Sequence, residues 1–127
     1  FKRVAVATSE SLPYRIFLLE SPRPAKGGYV LFNHKDRHVT GRVIKRVSCV
    51  AGERLETRGR DYYCNGTYLG RAKEFGRKGQ KLSNFTFNGI VPDDWMFVTS
   101  DHLDSYDSRY WGFLSKEEVM ASAQPLF

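Results

Sequence analysis

Gly41-Arg42-Val43-Ile44-Lys45-Arg46-Val47-Ser48-Cys49-Val50 is the body of a β-branched run, Val39–Val50, that stops at Ala51-Gly52. β-Branched side chains crowd a helix and suit a pleated sheet, so the run predicts a long strand. Side chains alternate between the two faces of a strand. Val43, Lys45, Val47 and Cys49 are therefore expected on one face, and Arg46 and Ser48 on the other. Lys45 is the only charge on an otherwise apolar face. Such a lysine is either an edge-strand gatekeeper that discourages sheet-to-sheet pairing or a desolvated lysine with a chemical task. Burial disfavours the ammonium and lowers a lysine pKa from its usual value of about 10.4. At a pKa near ~8, about a tenth of the amine is neutral at pH 7, which is enough for a general base.

The flanking sequence reads the same way. Tyr14–Glu20 is short, apolar and bounded by Pro13 and by Ser21-Pro22, and predicts a strand. Pro22-Arg23-Pro24 and Gly27-Gly28 mark a loop before the strand-like Tyr29-Val30-Leu31-Phe32. Beyond Gly52, two short segments near Glu53–Thr57 and Asp61–Cys64 flank Arg58-Gly59-Arg60 as a hairpin, and Asn65-Gly66 is a further turn signal. Gly70–Gln80 is polar and carries Gly70, Gly76 and Gly79, which predicts an exposed excursion. Ile90–Thr99 holds another strand after the Pro92-Asp93-Asp94 turn. Only Ser115–Ala123 reads as helix, with Ser115 as its cap and Glu117 and Glu118 in the first turn. The expected fold class is mainly β, with a short C-terminal helix.

Composition bounds the remaining choices. A chain of 127 residues makes one domain, 1–127. A hydrophobic fraction of 41%, with 14% aromatic, excludes a disordered tail. No purely apolar run exceeds four residues, as at Ile16–Leu19 and Tyr29–Phe32. Spanning a bilayer as a helix takes ~20, so no such span is expected here, nor a signal-peptide core. Twenty Lys+Arg against 14 Asp+Glu give a net charge of +6, which invites a nucleic-acid reading. The basic residues are spread along the chain, however, and the densest group, Arg71, Lys73, Arg77, Lys78 and Lys81, includes Glu74. An acidic partner or membrane surface fits as well, and a solvated surface fits too.

Cys49 and Cys64 offer one disulfide between hairpins in an oxidising compartment, or two free buried thiols. No zinc-type spacing is present. His34, Asp36 and His38 lie close in sequence, but His102 is the only other histidine, so neither a metal nor a cofactor is expected. Ser9 and Ser11 precede Pro13, which restricts Leu12 to an extended conformation and places Ser11 at a stiff turn. In Ser100–Gly112, Asp107 and Arg109 are placed to pair across a tight turn, with Tyr110 and Trp111 as core anchors.

Asp107-Ser108-Arg109-Tyr110-Trp111-Gly112 resembles the C-terminal signature of type I signal peptidases. Ile44-Lys45-Arg46-Val47, followed by Ala51-Gly52-Glu53, resembles their catalytic-lysine segment. The order is also theirs: serine, then lysine, then Asp-Ser-Arg. The resemblance runs from about Thr8 to Phe113. The short chain and Ser11-Leu12-Pro13 are closer to the conjugative-transfer branch, the TraF-type peptidases that mature pilin. Departures from the housekeeping enzymes point the same way. Pro13 is two residues after Ser11, Ala51-Gly52-Glu53 stands for Pro-Gly-Asp, and Ser100-Asp101-His102 stands for Gly-Asp-Asn.

The resemblance implies a fold of antiparallel sheets and a Ser/Lys dyad. Ser11 is then the nucleophile and Lys45 the general base. Ser9 and the backbone N–H of Ser11 form the oxyanion hole, Ser105 orients the Lys45 ammonium, and Asp107 and Arg109 support the Ser105 loop. It also implies a serine endopeptidase on the periplasmic side of the bacterial inner membrane, anchored by a segment upstream of Phe1. The partners it implies are that membrane surface and a pilin-like precursor with small residues before the cut, with no nucleic acid. Two rivals are a self-cleaving repressor domain, which shares the dyad, and a non-catalytic basic β-domain that binds a secretion partner or nucleic acid. The first would cut at an internal Ala-Gly, and Ala51-Gly52 directly after the lysine strand is a poor place for it.

Overall fold

The β-branched run forms strand β4, Thr40–Val50, as its composition demands. The computed structural model describes residues 4–7, 16–19, 25–35, 40–100, 102 and 105–125. Ahead of β4 come β1 (Val4–Ala7), β2 (Ile16–Leu19) and β3 (Tyr29–Lys35). After it come β5 (Arg54–Arg58), β6 (Asp61–Cys64), β7 (Thr67–Arg71), β8 (Asn88–Ile90) and β9 (Trp95–Thr99). A single helical turn α1 (Ser108–Trp111), β10 (Leu114–Ser115) and β11 (Val119–Pro125) complete the order.

These strands make two antiparallel sheets. The larger runs β1-β2-β11-β3-β4-β9-β10 and the smaller β7-β6-β5-β8. The small sheet is built from the predicted hairpins. β5 pairs with β6 across Gly59, and β6 pairs with β7 across Asn65-Gly66. Asn65 and Gly66 both take positive φ, 49° and 84°. Two such residues in succession give the turn whose twist matches that of the strands it joins.

The strict alternation expected along β4 breaks at Ser48. Val47 lies opposite Val98 and Cys49 opposite Phe97, so Ser48 is an extra residue without a counterpart on β9. Such a bulge shifts the phase of every side chain beyond it. Val47 therefore packs with Val30, Phe32, Met96, Val98 and Leu114. Cys49 falls in a second core, with Leu55, Tyr62, Cys64, Val91 and Phe97. The expectation that Cys49 shares a face with Lys45 and Val47 is corrected accordingly. Arg46 and Ser48 do share the other face, where with Thr99 they line a cleft of about 410 Å³. There Ser48 Oγ and Thr99 Oγ1 are hydrogen-bonded at 2.6 Å.

Two further expectations change. The predicted helix Ser115–Ala123 is one 3₁₀ turn, Lys116–Glu118, followed by strand β11. Ser115 does cap it, its side chain accepting from the backbone N–H of Glu117. The segment then fills the gap between β2 and β3, pairing with both, and that sheet pairing overrides a weak local preference. The predicted excursion Gly70–Gln80 starts later, since Gly70 and Arg71 belong to β7 and Ala72 is fully buried.

Candidate active site

β4 lies between β3 and β9, so Lys45 is on an interior strand and the edge-gatekeeper reading fails. Its register partner on β3 is Val30, and Val43 and Val47 stand two residues to either side on the same face. Only 7% of the residue is exposed. Burial holds the Lys45 amine below the ordinary lysine range; nearby Asp107 partly offsets this, and Arg109 adds to the depression. A lysine that is neutral part of the time can take a proton, which an exposed lysine rarely does at neutral pH.

The turn that faces it is built around Asp107. This residue caps α1, its Oδ1 accepting from the backbone N–H of Arg109 at 3.0 Å. The Arg109 guanidinium then closes on both carboxylate oxygens, Nε to Oδ1 at 2.8 Å and Nη2 to Oδ2 at 2.9 Å. Oδ2 also accepts from the backbone N–H of Ser100 at 3.0 Å, which ties the turn to the end of β9. Burial alone would lower the Arg109 pKa, but Asp107 outweighs it and the net shift is upward. A buried charge keeps its proton when its partner is this close. The neighbouring Ser108, also buried, accepts from the backbone N–H of Val98 at 2.9 Å.

Arg109 reaches further than its partner. Nη2 donates to the Ser105 carbonyl at 3.2 Å and Nη1 to the Arg71 carbonyl at 2.8 Å. The Ser105 backbone N–H donates in turn to the His102 carbonyl at 3.1 Å. Among the described residues no hydrogen bond joins Ser105 to Lys45. The structure therefore brings Lys45, Asp107 and Arg109 into one electrostatic neighbourhood and ties the Ser105 backbone to it. Ser9 and Ser11 lie outside the described residues.

Several contributors were not foreseen from sequence. The Tyr62 hydroxyl reaches the carbonyls of Phe85 and Arg109, the latter at 2.7 Å, and accepts from Asn84 Nδ2 at 3.0 Å. Gly112 ends α1 at φ +91°, and a Cβ there would meet the Phe85 ring at 3.2 Å. The final glycine of the Asp107–Gly112 segment thus has a steric reason.

Cys49 and Cys64 are joined by a disulfide that ties the large sheet to the small one. Glu53 lies beside them, but the sulfurs are bonded to each other and offer no thiolate to a metal. Glu53 is instead held by Lys26 Nζ at 2.8 Å, Asn65 Nδ2 at 3.0 Å and the Val50 N–H at 3.0 Å. His34 stacks on Trp111, ring centroids 4.6 Å apart. His38 lies outside the described residues. No described helix is long and apolar enough to cross a membrane.

The family model described as signal peptidase, peptidase S26, matches residues 5–127. The chain belongs to this family. It is 30% identical over 112 residues to a probable signal peptidase I-2 of Synechocystis, covering 79% of this chain and 46% of that protein. It is 36% identical over 83 residues to a probable conjugal transfer protein TraF of Sinorhizobium fredii, covering 65% and 44%. A conjugal transfer protein TraF of Agrobacterium tumefaciens matches at 29% over 86 residues, covering 67% and 48%. The chain thus spans less than half the length of these relatives. Its fold is also that of a signal peptidase I from Enterococcus faecalis. The TM-score is 0.52 over 84% of this chain and 98% of that one, at 24% identity. The mainly β, antiparallel architecture is therefore the signal peptidase fold.

Proposed function

We propose that this chain is a serine endopeptidase with a Ser11/Lys45 dyad that matures an exported, pilin-like precursor in conjugative transfer. The observation that carries the reading is Lys45, buried on an interior strand with its amine held below the ordinary range. A lysine placed there only for solubility would be exposed. The TraF names of two relatives support the conjugative assignment, and membership of the signal peptidase family supports the peptidase chemistry.

In this reading neutral Lys45 takes the proton of the Ser11 hydroxyl as its Oγ attacks the scissile carbonyl. The carbonyl oxygen becomes an oxyanion, met by the Ser9 hydroxyl and the Ser11 N–H; one such donor is worth ~3–4 kcal/mol because the charge develops only in the transition state. The Lys45 ammonium then protonates the departing amine, and an ester on Ser11 remains. Water attacks that ester to complete hydrolysis. Attack by an amine of the same product would instead yield a cyclic one, since both outcomes share the acyl-enzyme. The substrate carries small residues before the cut, and the enzyme works at the periplasmic face of the inner membrane, held by an upstream anchor.

The test is precursor maturation in cells carrying Ser11→Ala or Lys45→Ala. Both variants are expected to accumulate unprocessed precursor. Normal processing by either one would sink the dyad and favour the non-catalytic basic β-domain.

A further inference from the structure

Residues 71–81 hold five basic side chains, Arg71, Lys73, Arg77, Lys78 and Lys81, against the single acid Glu74. Eleven residues thus carry +4 of the chain's net +6. The structure shows an ordered hairpin here. Its base is clamped by Arg60, with Nη1 donating to the Lys73 carbonyl at 2.6 Å and Nη2 to the Leu82 carbonyl at 2.7 Å. Above the clamp, Leu82 N–H donates to the Glu74 carbonyl at 2.8 Å and Phe75 bridges to Lys81. The tip closes on itself through Gly76 N–H to the Gln80 carbonyl at 2.8 Å and Gly79 N–H to the Gly76 carbonyl at 3.0 Å.

These bonds hold the hairpin through its backbone and Arg60, while Arg71 at its foot is paired with Asp61 at 2.9 Å. Phe75 is left 55% exposed. Arg77, Lys78 and Lys81 are exposed around it. A lone exposed aromatic is ordinary on a protein surface. An aromatic ring fixed on a rigid hairpin among cations is a more specific pattern. An anionic bilayer offers phosphates to the cations and a headgroup–acyl boundary to the ring, so one surface satisfies both. The hairpin is also fastened to the candidate site. Lys73 N–H donates to the Tyr110 hydroxyl at 2.8 Å, and the Arg71 carbonyl accepts from Arg109.

We infer that the hairpin around Phe75, Lys78 and Lys81 is the contact of this domain with an anionic lipid surface. It rests on the membrane-side part of the reading above and adds where the domain touches. Because the hairpin and the Asp107 turn share hydrogen bonds, docking the one fixes the distance of Lys45 from the bilayer.

The experiment is co-sedimentation of the 127-residue chain with vesicles of phosphatidylcholine alone or with phosphatidylglycerol added. Binding is expected only to the anionic vesicles. Lys78→Gln/Lys81→Gln should weaken it roughly 25-fold at low salt, about fivefold per lysine, and lose this effect near 1 M salt. Phe75→Ala should weaken it at both salt levels. Lys116→Gln, an exposed lysine elsewhere, should bind as the unaltered chain does. Equal binding to neutral vesicles overturns the inference. So does an equal loss in Lys116→Gln, and so does preferential capture by single-stranded DNA that these substitutions abolish. Cleavage of a soluble precursor peptide without vesicles separates the two ideas. It should be unchanged in the hairpin variants, and its absence in the unaltered chain would sink the peptidase reading while leaving the vesicle result standing.

Discussion

Arg109 grips Asp107 through both carboxylate oxygens, at 2.8 and 2.9 Å, with 3% and 0% of the two side chains exposed. Replacing two such charges together by apolar groups can be neutral, but removing one strands the other in a dry site. Asp107→Ala is therefore expected to cost about 3–5 kcal/mol. It also frees the backbone N–H groups of Ser100 and Arg109. Urea unfolding of the purified chain measures the loss. A change below about 1 kcal/mol, the range of surface pairs, would mean that the pair is not buried in solution.

Lys45 gives the stability a defined pH dependence. Its folded pKa lies below the free value near 10.4 because of burial. Between the two values the unfolded chain holds a proton at Lys45 that the folded chain has lost, so this group's contribution rises with pH across that window. Below the folded value both states are protonated and the cost of burying the ammonium is fully present. Lys45→Met, similar in length and apolar, is expected to exceed the unaltered chain in stability at pH 7. The difference should close as the pH approaches 10. Parallel unfolding midpoints at every pH would show that Lys45 is not desolvated.

How much of this was legible depended on distance along the chain. The hairpins around Gly59 and Asn65-Gly66 and the Asp107–Arg109 pair are local, and their residues announce them. The partners of that pair are not local, since the Arg71 carbonyl lies 38 residues from Arg109 and the Tyr62 hydroxyl 47. No periodicity reports such contacts. The bulge at Ser48 was equally hidden, because it depends on which residues of β9 lie opposite. Ser115, Glu117 and Glu118 do mark a helical start, and one 3₁₀ turn forms. The strand that follows exists because β2 and β3 leave a place for it. Lys45 was legible as an anomaly, but only the sheet order separated an interior lysine from an edge one.

The disulfide closes a loop with a sequence separation of 15. Cross-linking such a loop restricts the unfolded chain by about 3 kcal/mol in the chain-entropy account. The double variant Cys49→Ser/Cys64→Ser is expected to lose about that much, and the unaltered chain to lose a similar amount when reduced. Thermal unfolding with and without dithiothreitol provides the comparison. If reductant leaves the unaltered chain unmoved while thiol labelling finds both cysteines free, the bond does not form in solution.

Tyr62 offers the sharpest probe of how the small sheet supports the site. Its ring is fully buried against Phe97, while its hydroxyl holds the carbonyls of Phe85 and Arg109. Tyr62→Phe keeps the ring and removes the donor, while the Arg109 carbonyl keeps the Phe85 N–H at 2.9 Å and Asn84 Nδ2 keeps the Gly59 carbonyl at 3.1 Å. Losing a hydrogen bond whose partners keep other contacts costs ~0.5–1.5 kcal/mol, so a loss in that range is expected on urea unfolding. The same bond fixes the backbone of Arg109, whose guanidinium orders Asp107 near Lys45. If Lys45 is the base, Tyr62→Phe should lower kcat more than it raises KM, because no part of Tyr62 is placed to touch substrate. A loss of stability with kcat unchanged would confine Tyr62 to folding and break the link between the small sheet and the lysine.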